Sequence, residues 1–324
     1  MFLDTAPPRP EAIEHAPSLV NPVFLNSPQF QSDGLSTRIK HAAIVKVETV
    51  NPVRSFKARG AWLAAHELVA SGEATEHHGI VVASSGNFGQ AIAYAGRAHH
   101  IPVTVFIDAK ANPVKVARTR GFGAEVVLIG RDFDEAHEHA IRHARDTGQT
   151  LVTDGRETAF AVGAGTIALE VTQAVDVGRL PAIGSAYVPV GNGALIVGIG
   201  TWLRHASPST RVVGVQAEGA PSMTLSWRAG RPIETENAAT GAEGLATRVP
   251  VPEAVAAMKT LVDDMLLVPE QALHSAQQEL SGELGIMVEL AGAAAWAACV
   301  ADSARRSASL VIITGSNLRT NTVA

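Results

Sequence analysis

The sequence contains a single cysteine, Cys299, and this scarcity limits the classes of protein it can belong to. One cysteine cannot form an intramolecular disulfide, so an architecture held together by disulfides is excluded. Cys299 lies in an alanine-rich stretch of helical character, where it is expected to fill space in the core. Stability must come from a hydrophobic core instead, and 46% of the 324 residues are hydrophobic although only 5% are aromatic.

An excess of basic charge is also missing. The 26 Lys and Arg residues are outnumbered by 31 Asp and Glu residues, and they form no stripe, whereas nucleic-acid binding draws on clustered positive charge. The N-terminus does not combine a basic start with an apolar core, as a secretory signal does, and we expect no apolar run to approach the length of a membrane span. The sequence therefore predicts a cytoplasmic protein that binds neither nucleic acid nor a membrane.

Strand-like and helix-like patterns alternate along most of the chain. Strands are predicted near residues 42–48, 79–83, 102–107, 124–128, 184–190, 211–216 and 309–314, with helices between them. Such alternation is typical of parallel sheets covered by helices, which is an α/β fold. Residues 1–40 are predicted to form an extended arm, and residues 219–250 an irregular segment.

The most informative motif is Ser-Phe-Lys-Ala-Arg-Gly at residues 55–60. A lysine amine forms a Schiff base with a carbonyl compound only when it can become neutral, through desolvation or a neighbouring cation. We expect Phe56 to supply the desolvation of Lys57 and Arg59 to supply the cation. Taken alone, the motif also fits a solvated surface lysine, so its interpretation depends on the rest of the chain.

Three other predicted strands end in small polar residues or glycines. Residues 83–90, Ala-Ser-Ser-Gly-Asn-Phe-Gly-Gln, lead into a helix whose N-terminus attracts an anion, although an ordinary helix cap explains the same residues. In the turn Gly-Asn-Gly-Ala, Gly191 and Gly193 allow the backbone to approach a phosphate, and the turn matches neither a Walker A loop nor a dinucleotide fingerprint. The strand at 310–313 ends in Thr-Gly-Ser-Asn, and functional residues of open α/β sheets collect at such carboxyl ends.

In this order, the four motifs resemble those of fold-type II enzymes that use pyridoxal 5′-phosphate (PLP). The branch they resemble is that of the serine/threonine dehydratases (ammonia-lyases) and serine racemases, and the resemblance runs from about Asn21 to the C-terminus. It implies two open, mostly parallel sheets with helices on both faces, as in the tryptophan synthase β-like fold. It also implies a large domain of residues 1–48 and 146–324, a small domain of residues 49–145, an active site between them, and a homodimer.

The resemblance implies a role for each motif. Lys57 would hold PLP as a Schiff base and, once an amino acid displaces it, would remove the Cα proton. Phe56 would lie beside the cofactor ring, Asn87 would hydrogen-bond its 3′ oxygen, and Thr314 would face its pyridine nitrogen. Two loops would bind the anionic groups: the substrate carboxylate at Ser84, Ser85, Gly86, Asn87 and Phe88, and the PLP phosphate at Gly191, Asn192, Gly193, Ala194 and Leu195.

The predicted reaction is β-elimination from a β-hydroxy amino acid such as threonine, serine or a 3-hydroxy analogue, giving a 2-oxo acid and ammonia. A neutral hydroxyl such as that of Thr314 cannot stabilise a protonated pyridine nitrogen as a carboxylate would, and loss of a β-leaving group is then favoured. Two alternatives stay open. Ser85 stands where racemases carry a serine base, which fits an amino-acid racemase. Asn192 resembles the corresponding residue of threonine synthases, which carry out β-replacement.

Three positions depart from the usual dehydratase pattern. Arg54 replaces a small residue before Ser-Phe-Lys, Phe88 replaces a histidine after Gly-Asn, and the phosphate turn has Gly-Asn-Gly-Ala in place of four glycines. Because Arg54 and Phe88 belong to the two loops expected nearest the substrate, we predict a side-chain preference that differs from plain serine or threonine. Neutral drift at both positions accounts for the same differences.

No metal site is predicted. Related racemases hold a divalent cation with a Glu and an Asp, but these positions correspond to Gln216 and Ser222, and an amide lacks the charge that a hard cation prefers. Glu135, His139 and His143 recur every four residues on a predicted helix, a spacing that suits metal ligands. The same helix carries many other charged residues, and a solvated charged face is the favoured interpretation.

Overall fold

The computed structural model describes residues 7–318 except residues 112, 132, 303 and 305–307. Within these residues ten strands form two sheets, and most strands are short runs of aliphatic side chains. In chain order they are β1 Gln29–Ser32, β2 Ala42–Val47, β3 Ile80–Ala83, β4 Val103–Ile107, β5 Glu125–Leu128, β6 Thr150–Leu151, β7 Ser185–Pro189, β8 Arg211–Ala217, β9 Asp264–Val268 and β10 Ala308–Ile313.

The two sheets are open and mostly parallel. Six strands form one sheet in the order β1–β2–β10–β7–β8–β9, and four strands form the other in the order β5–β4–β3–β6. Only β1 pairs antiparallel with its neighbour, β2. This topology confirms the predicted α/β fold, and it gives each sheet one edge at which the carboxyl ends of parallel strands meet.

The described helices connect the strands and cover the sheets. They are α1 Pro10–His15, α2 Asp33–Ile39, α3 Lys57–Ser71, α4 Asn87–Ala98, α5 Pro113–Gly121, α6 Phe133–Thr147, α7 Thr158–Asp176, α8 Ala194–Ala206, α9 Ser222–Ala229, α10 Pro252–Leu261, α11 Glu270–Leu284 and α12 Leu290–Ala301. Short 3₁₀ turns occur at Ala16–Ser18, Pro22–Phe24 and Glu243–Leu245.

The central strands β2, β3, β4, β7 and β10 are buried on both faces, because helices pack on each side of the sheets. Helix α7 packs between α3 and α8, where Gly60 of α3 and Gly163 of α7 bring two backbones together. A Cβ atom on Gly163 would lie 2.5 Å from the Gly60 nitrogen. Cys299 is buried in α12, where it fills space in the core as expected.

One expectation about irregular segments was wrong, and a second was confirmed only in part. Residues 1–40 were expected to form an extended arm, but they contain α1, α2, β1 and two 3₁₀ turns. These elements are three to seven residues long, and such short elements are too short to show a periodicity in the sequence. The segment 219–250 is irregular from residue 230 onward apart from one 3₁₀ turn, but it begins with α9.

A third expectation, that no apolar run approaches a membrane span, was also wrong. Helix α7 is long and apolar enough, by length and composition, to cross a membrane. Most of its residues are buried inside the protein, where α3 and α8 pack against it. Core helices of globular proteins meet the same criteria.

Candidate active site

The segment that leads into α3 is attached to the carboxyl end of β10. The Phe56 nitrogen donates a 3.0 Å hydrogen bond to the Thr314 carbonyl oxygen, and the Ser316 nitrogen donates one of 3.0 Å to the Arg54 carbonyl oxygen. Lys57 is the first residue of α3, so this attachment fixes where its side chain begins. Lys57 and Thr314, which are far apart in the sequence, thereby meet at one edge of the large sheet.

The Lys57 amine faces a carboxylate that the sequence analysis missed. Its Nζ lies 2.7 Å from both Oδ1 and Oδ2 of Asp154, in the turn between β6 and α7. It also lies 5.2 Å from the ring centre of Phe56 and 6.0 Å from that of Phe88. Phe56 thus provides the apolar neighbour that was expected. A narrow cleft opens beside the amine, lined by Phe56, Lys57, Gly60, Phe160 and Ala194.

The expected cationic neighbour of Lys57 is engaged elsewhere. Arg59 is fully buried, and its guanidinium donates hydrogen bonds of 2.9 Å to Glu48 and 2.6 Å to Glu170. Lys46 also donates a 2.5 Å hydrogen bond to Glu170, so two cations and two carboxylates form one buried network. Two residues along a helix correspond to a rotation of about 200°, which places Arg59 on the face away from Lys57.

The loop 84–88 lies at the start of α4. The Ser84 hydroxyl accepts hydrogen bonds from the backbone nitrogens of Gly86, at 3.2 Å, and Gly89, at 3.1 Å, and thus caps the helix. Ser85 is half-buried, and its hydroxyl has no hydrogen-bond partner among the residues that the structure describes. The capping explanation of Ser84 therefore holds, while the adjacent hydroxyl stays available to a ligand.

Asn87 belongs to a polar cluster with two residues from the C-terminal part of the chain. Its Nδ2 donates a 2.7 Å hydrogen bond to Glu289, and its Oδ1 accepts one of 2.8 Å from Asn317. Burial raises the pKa of the Glu289 carboxyl to about 7, although the hydrogen bond from Asn87 opposes this shift. The sequence analysis did not identify Glu289 or its contact with Asn87.

Phe88 and Arg54, which depart from the usual dehydratase pattern, occupy different environments. Phe88 is only 4% exposed, and its ring packs edge-on against Phe160 with 5.2 Å between the ring centres. Phe88 therefore does not line the cleft itself but packs against Phe160, which does. Arg54 is exposed and adopts a positive φ of 58°.

The glycine turn after β7 presents free backbone N–H groups. Within the described chain, the N–H groups of residues 191–195 donate no hydrogen bond to another protein group. Gly193, with a φ of 101°, precedes the first residue of α8, and a Cβ atom there would lie 2.7 Å from the Cβ of Ala254. Asn192 fixes the turn, because its Nδ2 donates a 3.3 Å hydrogen bond to the Asp154 carbonyl and its Oδ1 accepts one of 3.2 Å from Thr247. A helix N-terminus of this form suits a phosphate.

The positions at which related racemases hold a divalent cation carry no acidic pair here. Gln216 is buried, and its Oε1 accepts hydrogen bonds from the Thr224 nitrogen, at 2.7 Å, and hydroxyl, at 3.0 Å. The Ser222 hydroxyl donates to the Thr247 carbonyl at 2.6 Å. On α6, Glu135 pairs with Arg131, which lowers the pKa of its carboxyl. No group of three or more His, Cys, Asp and Glu residues could hold a metal in the described ranges.

The site fits PLP in three respects: an amine in a cleft walled by aromatic rings, a turn of free backbone N–H groups at the N-terminus of α8, and a buried threonine, Thr314, at the strand end between them. A model of the pyridoxal-phosphate dependent enzyme family matches residues 20–315. The chain belongs to this family. Its cofactor is therefore PLP.

Similar proteins indicate which type of reaction this pyridoxal-phosphate dependent enzyme catalyses. An L-threonine ammonia-lyase of Thermotoga maritima is 33% identical over 280 residues, which are 86% of this chain and 68% of the relative. A catabolic L-threonine dehydratase of Staphylococcus aureus is 32% identical over 87% of this chain and 79% of its own. The solved structure of a T.th. threonine deaminase has a TM-score of 0.89 and 30% identity, covering 96% of this chain and 99% of that one. The protein is a PLP-dependent lyase that carries out β-elimination.

Proposed function

We propose that this lyase converts a β-hydroxy amino acid, such as threonine, serine or a 3-hydroxy analogue, into a 2-oxo acid and ammonia. The observation that carries the proposal is the position of the Lys57 amine, which lies in a cleft beside an aromatic wall and close to the start of α4. The threonine ammonia-lyases and dehydratases among the relatives support a small amino acid as substrate.

The proposed binding roles follow the sequence motifs. The N–H groups of Gly191, Asn192, Gly193, Ala194 and Leu195 hold the phosphate, Phe56 lies beside the cofactor ring, Asn87 binds its 3′ oxygen, and the Thr314 hydroxyl faces its ring nitrogen. The free Ser85 hydroxyl and the backbone of Gly86, Asn87 and Phe88 bind the substrate carboxylate. The Ser84 hydroxyl oxygen already accepts two hydrogen bonds at the start of α4, so Ser84 can bind the carboxylate only by donating its hydroxyl proton.

When bound, PLP supplies an electron sink that makes the Cα proton of the amino acid acidic. The protein's part is to place groups around that proton. Lys57 Nζ receives it, and the N–H groups at the start of α4 orient the carboxylate so that the Cα–H bond points toward Nζ. The rings of Phe56 and Phe160 limit the access of water to the amine, which helps to keep the proton available for the departing hydroxyl.

Racemisation is the second candidate reaction. Its support is the Ser85 hydroxyl, which has no hydrogen-bond partner in the described chain and could act as a base on the opposite face of the substrate. Against it, the neutral hydroxyl of Thr314 favours departure of the β-substituent once the proton is removed. Maize serine racemase, at 24% identity and a TM-score of 0.89, shares the fold.

Domain organisation, location and assembly are further proposals. We propose a small domain of residues 49–145 and a large domain of residues 1–48 and 146–324. The small sheet supports this division except at its end, because its strand β6, Thr150–Leu151, places the boundary after residue 151. We also propose that the protein is cytoplasmic and a homodimer. Light scattering of the purified holoenzyme tests the dimer, since a monomeric mass would contradict it.

Two measurements test the proposed function. Borohydride reduction of the yellow holoenzyme should fix the mass of PLP on the peptide that contains Lys57, and label on another lysine would contradict the proposal. Serine, threonine and bulkier or charged 3-hydroxy amino acids should then yield 2-oxo acid, with D-isomers tracked in parallel. Dominant production of a D-amino acid would support the racemase alternative instead.

A further inference from the structure

The pairing of Lys57 with Asp154 is a feature that the elimination mechanism above does not use. Both Asp154 oxygens lie 2.7 Å from Lys57 Nζ, and the two side chains are 18% and 22% exposed. No other described residue donates a hydrogen bond to either oxygen. The carboxylate therefore serves one partner only, and that partner is the amine expected to bind the cofactor.

The backbone around Asp154 is anchored independently of the amine. Its carbonyl oxygen accepts the 3.3 Å hydrogen bond from Asn192, and the next residue, Gly155, has a φ of 86° and packs closely against Asn192. A Cβ atom on Gly155 would lie 2.9 Å from that of Asn192. Asp154 thus stays in place beside the glycine turn when Lys57 moves.

The pair is not needed to hold α3 in position. The start of α3 is already attached to β10 by backbone hydrogen bonds, and Arg59 anchors its first turn to Glu48 and Glu170. Partly exposed ion pairs contribute little to stability because water screens them. A role in the chemistry of the Lys57 amine explains the geometry better than a structural role does.

We infer that Asp154 is a positioning residue that holds the Lys57 amine whenever this amine is not bonded to the cofactor and carries a proton. The inference rests on the proposed role of Lys57. During turnover the freed amine takes the Cα proton, and Asp154 stabilises the resulting charge and keeps the ammonium in the cleft. Asp154 therefore accelerates turnover.

The same contact delays cofactor capture. To bind PLP, Nζ must lose a proton to solvent and leave Asp154; its lone pair then bonds to the aldehyde carbon, and the aldehyde oxygen departs as water. An ammonium ion held by a carboxylate has no lone pair to offer. Asp154 thus has opposite effects on two measurable rates, which a purely structural residue would not have.

The test compares Asp154→Asn with wild type and with Asp176→Asn, which removes an exposed carboxylate at the far end of α7. Each apoenzyme is mixed with PLP, capture is followed by absorbance, and borohydride with peptide mapping confirms the label on Lys57. We expect Asp154→Asn to capture PLP about fivefold faster, the size of one partly screened ion pair. We expect its kcat, once loaded, to fall at least about tenfold with KM little changed. Asp176→Asn should alter neither rate.

Several results would overturn the inference. Capture and turnover that fall together in Asp154→Asn show a structural role, and unchanged rates show no role. Where Asp154→Asn does not fold, Asp154→Glu is the second variant, because it keeps the negative charge but moves it. PLP capture by this variant should stay slow while its kcat falls. An unchanged kcat would contradict the inference. A wild-type enzyme labelled elsewhere than Lys57 would instead overturn the proposed function itself.

Discussion

The Asn87 Nδ2 donates a 2.7 Å hydrogen bond to Glu289 Oε1 and so joins the start of α4 to the start of α12. The Asn87 Oδ1 is also occupied, by a hydrogen bond of 2.8 Å from Asn317. The orientation of the Asn87 amide is therefore fixed by protein groups before a ligand binds. The remaining N–H of Nδ2 is the donor that Asn87 can offer to the cofactor.

This cluster should make stability depend on pH. Burial raises the pKa of Glu289 to about 7 in the folded protein, from 4.5. Between these values the folded state binds more protons than the unfolded state. The contribution of Glu289 to the free energy of unfolding is therefore fully present below pH 4.5 and is lost as pH rises through 7. Glu289→Gln is always neutral and should gain stability relative to wild type across this window, by at most about 3 kcal/mol. Urea unfolding at several pH values measures the difference, and a constant difference would contradict the assignment.

Gly193 and Gly178 offer a matched pair of substitutions. Both have positive φ, 101° and 70°, but a Cβ atom on Gly193 would meet Ala254 at 2.7 Å, whereas one on Gly178 would meet nothing within 4 Å. Gly193→Ala should distort the phosphate turn and weaken PLP retention by about tenfold or more, since strained backbone costs on the order of 1–3 kcal/mol. Gly178→Ala should retain PLP normally. Dialysis followed by cofactor absorbance measures both, and equal retention would argue against a phosphate at this turn.

Activity should not require a divalent cation. The Gln216 side chain is a neutral amide and lacks the charge that a hard cation prefers. Its Oε1 also accepts two hydrogen bonds from Thr224, so it has little capacity left for a cation. Treatment with a chelator should leave kcat/KM nearly unchanged. A large loss that magnesium or calcium restores would show that a cation site exists after all.

Phe88→His should affect both stability and specificity. Phe88 is 4% exposed against Phe160, and an imidazole there has no evident hydrogen-bond partner, so the free energy of unfolding should fall by about 1–3 kcal/mol. If the ring shapes the substrate pocket through Phe160, preference should shift toward serine or threonine by about 1–3 kcal/mol in kcat/KM. Phe133→His, at a position 53% exposed, is the stability control. An unchanged preference would remove Phe88 from the pocket.

Breaking the buried charge network should be costly. Among the described residues, Arg59→Ala leaves Glu48 without a salt-bridge partner and Glu170 with Lys46 alone, and loss of one member of a buried pair costs about 3–5 kcal/mol. Arg38→Ala removes an exposed partner that lies 3.8 Å from Glu279, and should cost less than about 1 kcal/mol. Chemical denaturation compares the two variants. Similar losses would mean that the network is not a stabilising element.

The sequence predicted seven of the nine described parallel strands, because buried strands are apolar along their whole length. It did not predict β6, with two residues, or the two edge strands of the large sheet: β1, which carries mostly polar side chains, and β9, which is only partly buried. Short or half-exposed elements form through tertiary contacts, so their local sequence holds little signal.

The motifs located Lys57, the turn at 191–195 and Thr314, but not the partners these residues find. Asp154 lies 97 positions from Lys57, and Glu289 lies 202 positions from Asn87. No periodicity links residues so far apart, and neither Asp154 nor Glu289 belongs to a motif that was used to locate the site. The same limit explains Arg59, whose proximity to Lys57 in sequence suggested a contact that the helical rotation prevents.

The position of β10 also determines when during synthesis a site for the cofactor can exist. This strand lies between β2 and β7, and it carries the carbonyl of Thr314 that receives the Phe56 nitrogen. A nascent chain that has not yet released residues 308–314 from the ribosome has an unfilled gap in the middle of its large sheet, and the segment before Lys57 has nothing to attach to. Cofactor loading must therefore wait until β10 has left the ribosome, and until then the exposed edges of β2 and β7 are surfaces that chaperones would need to protect.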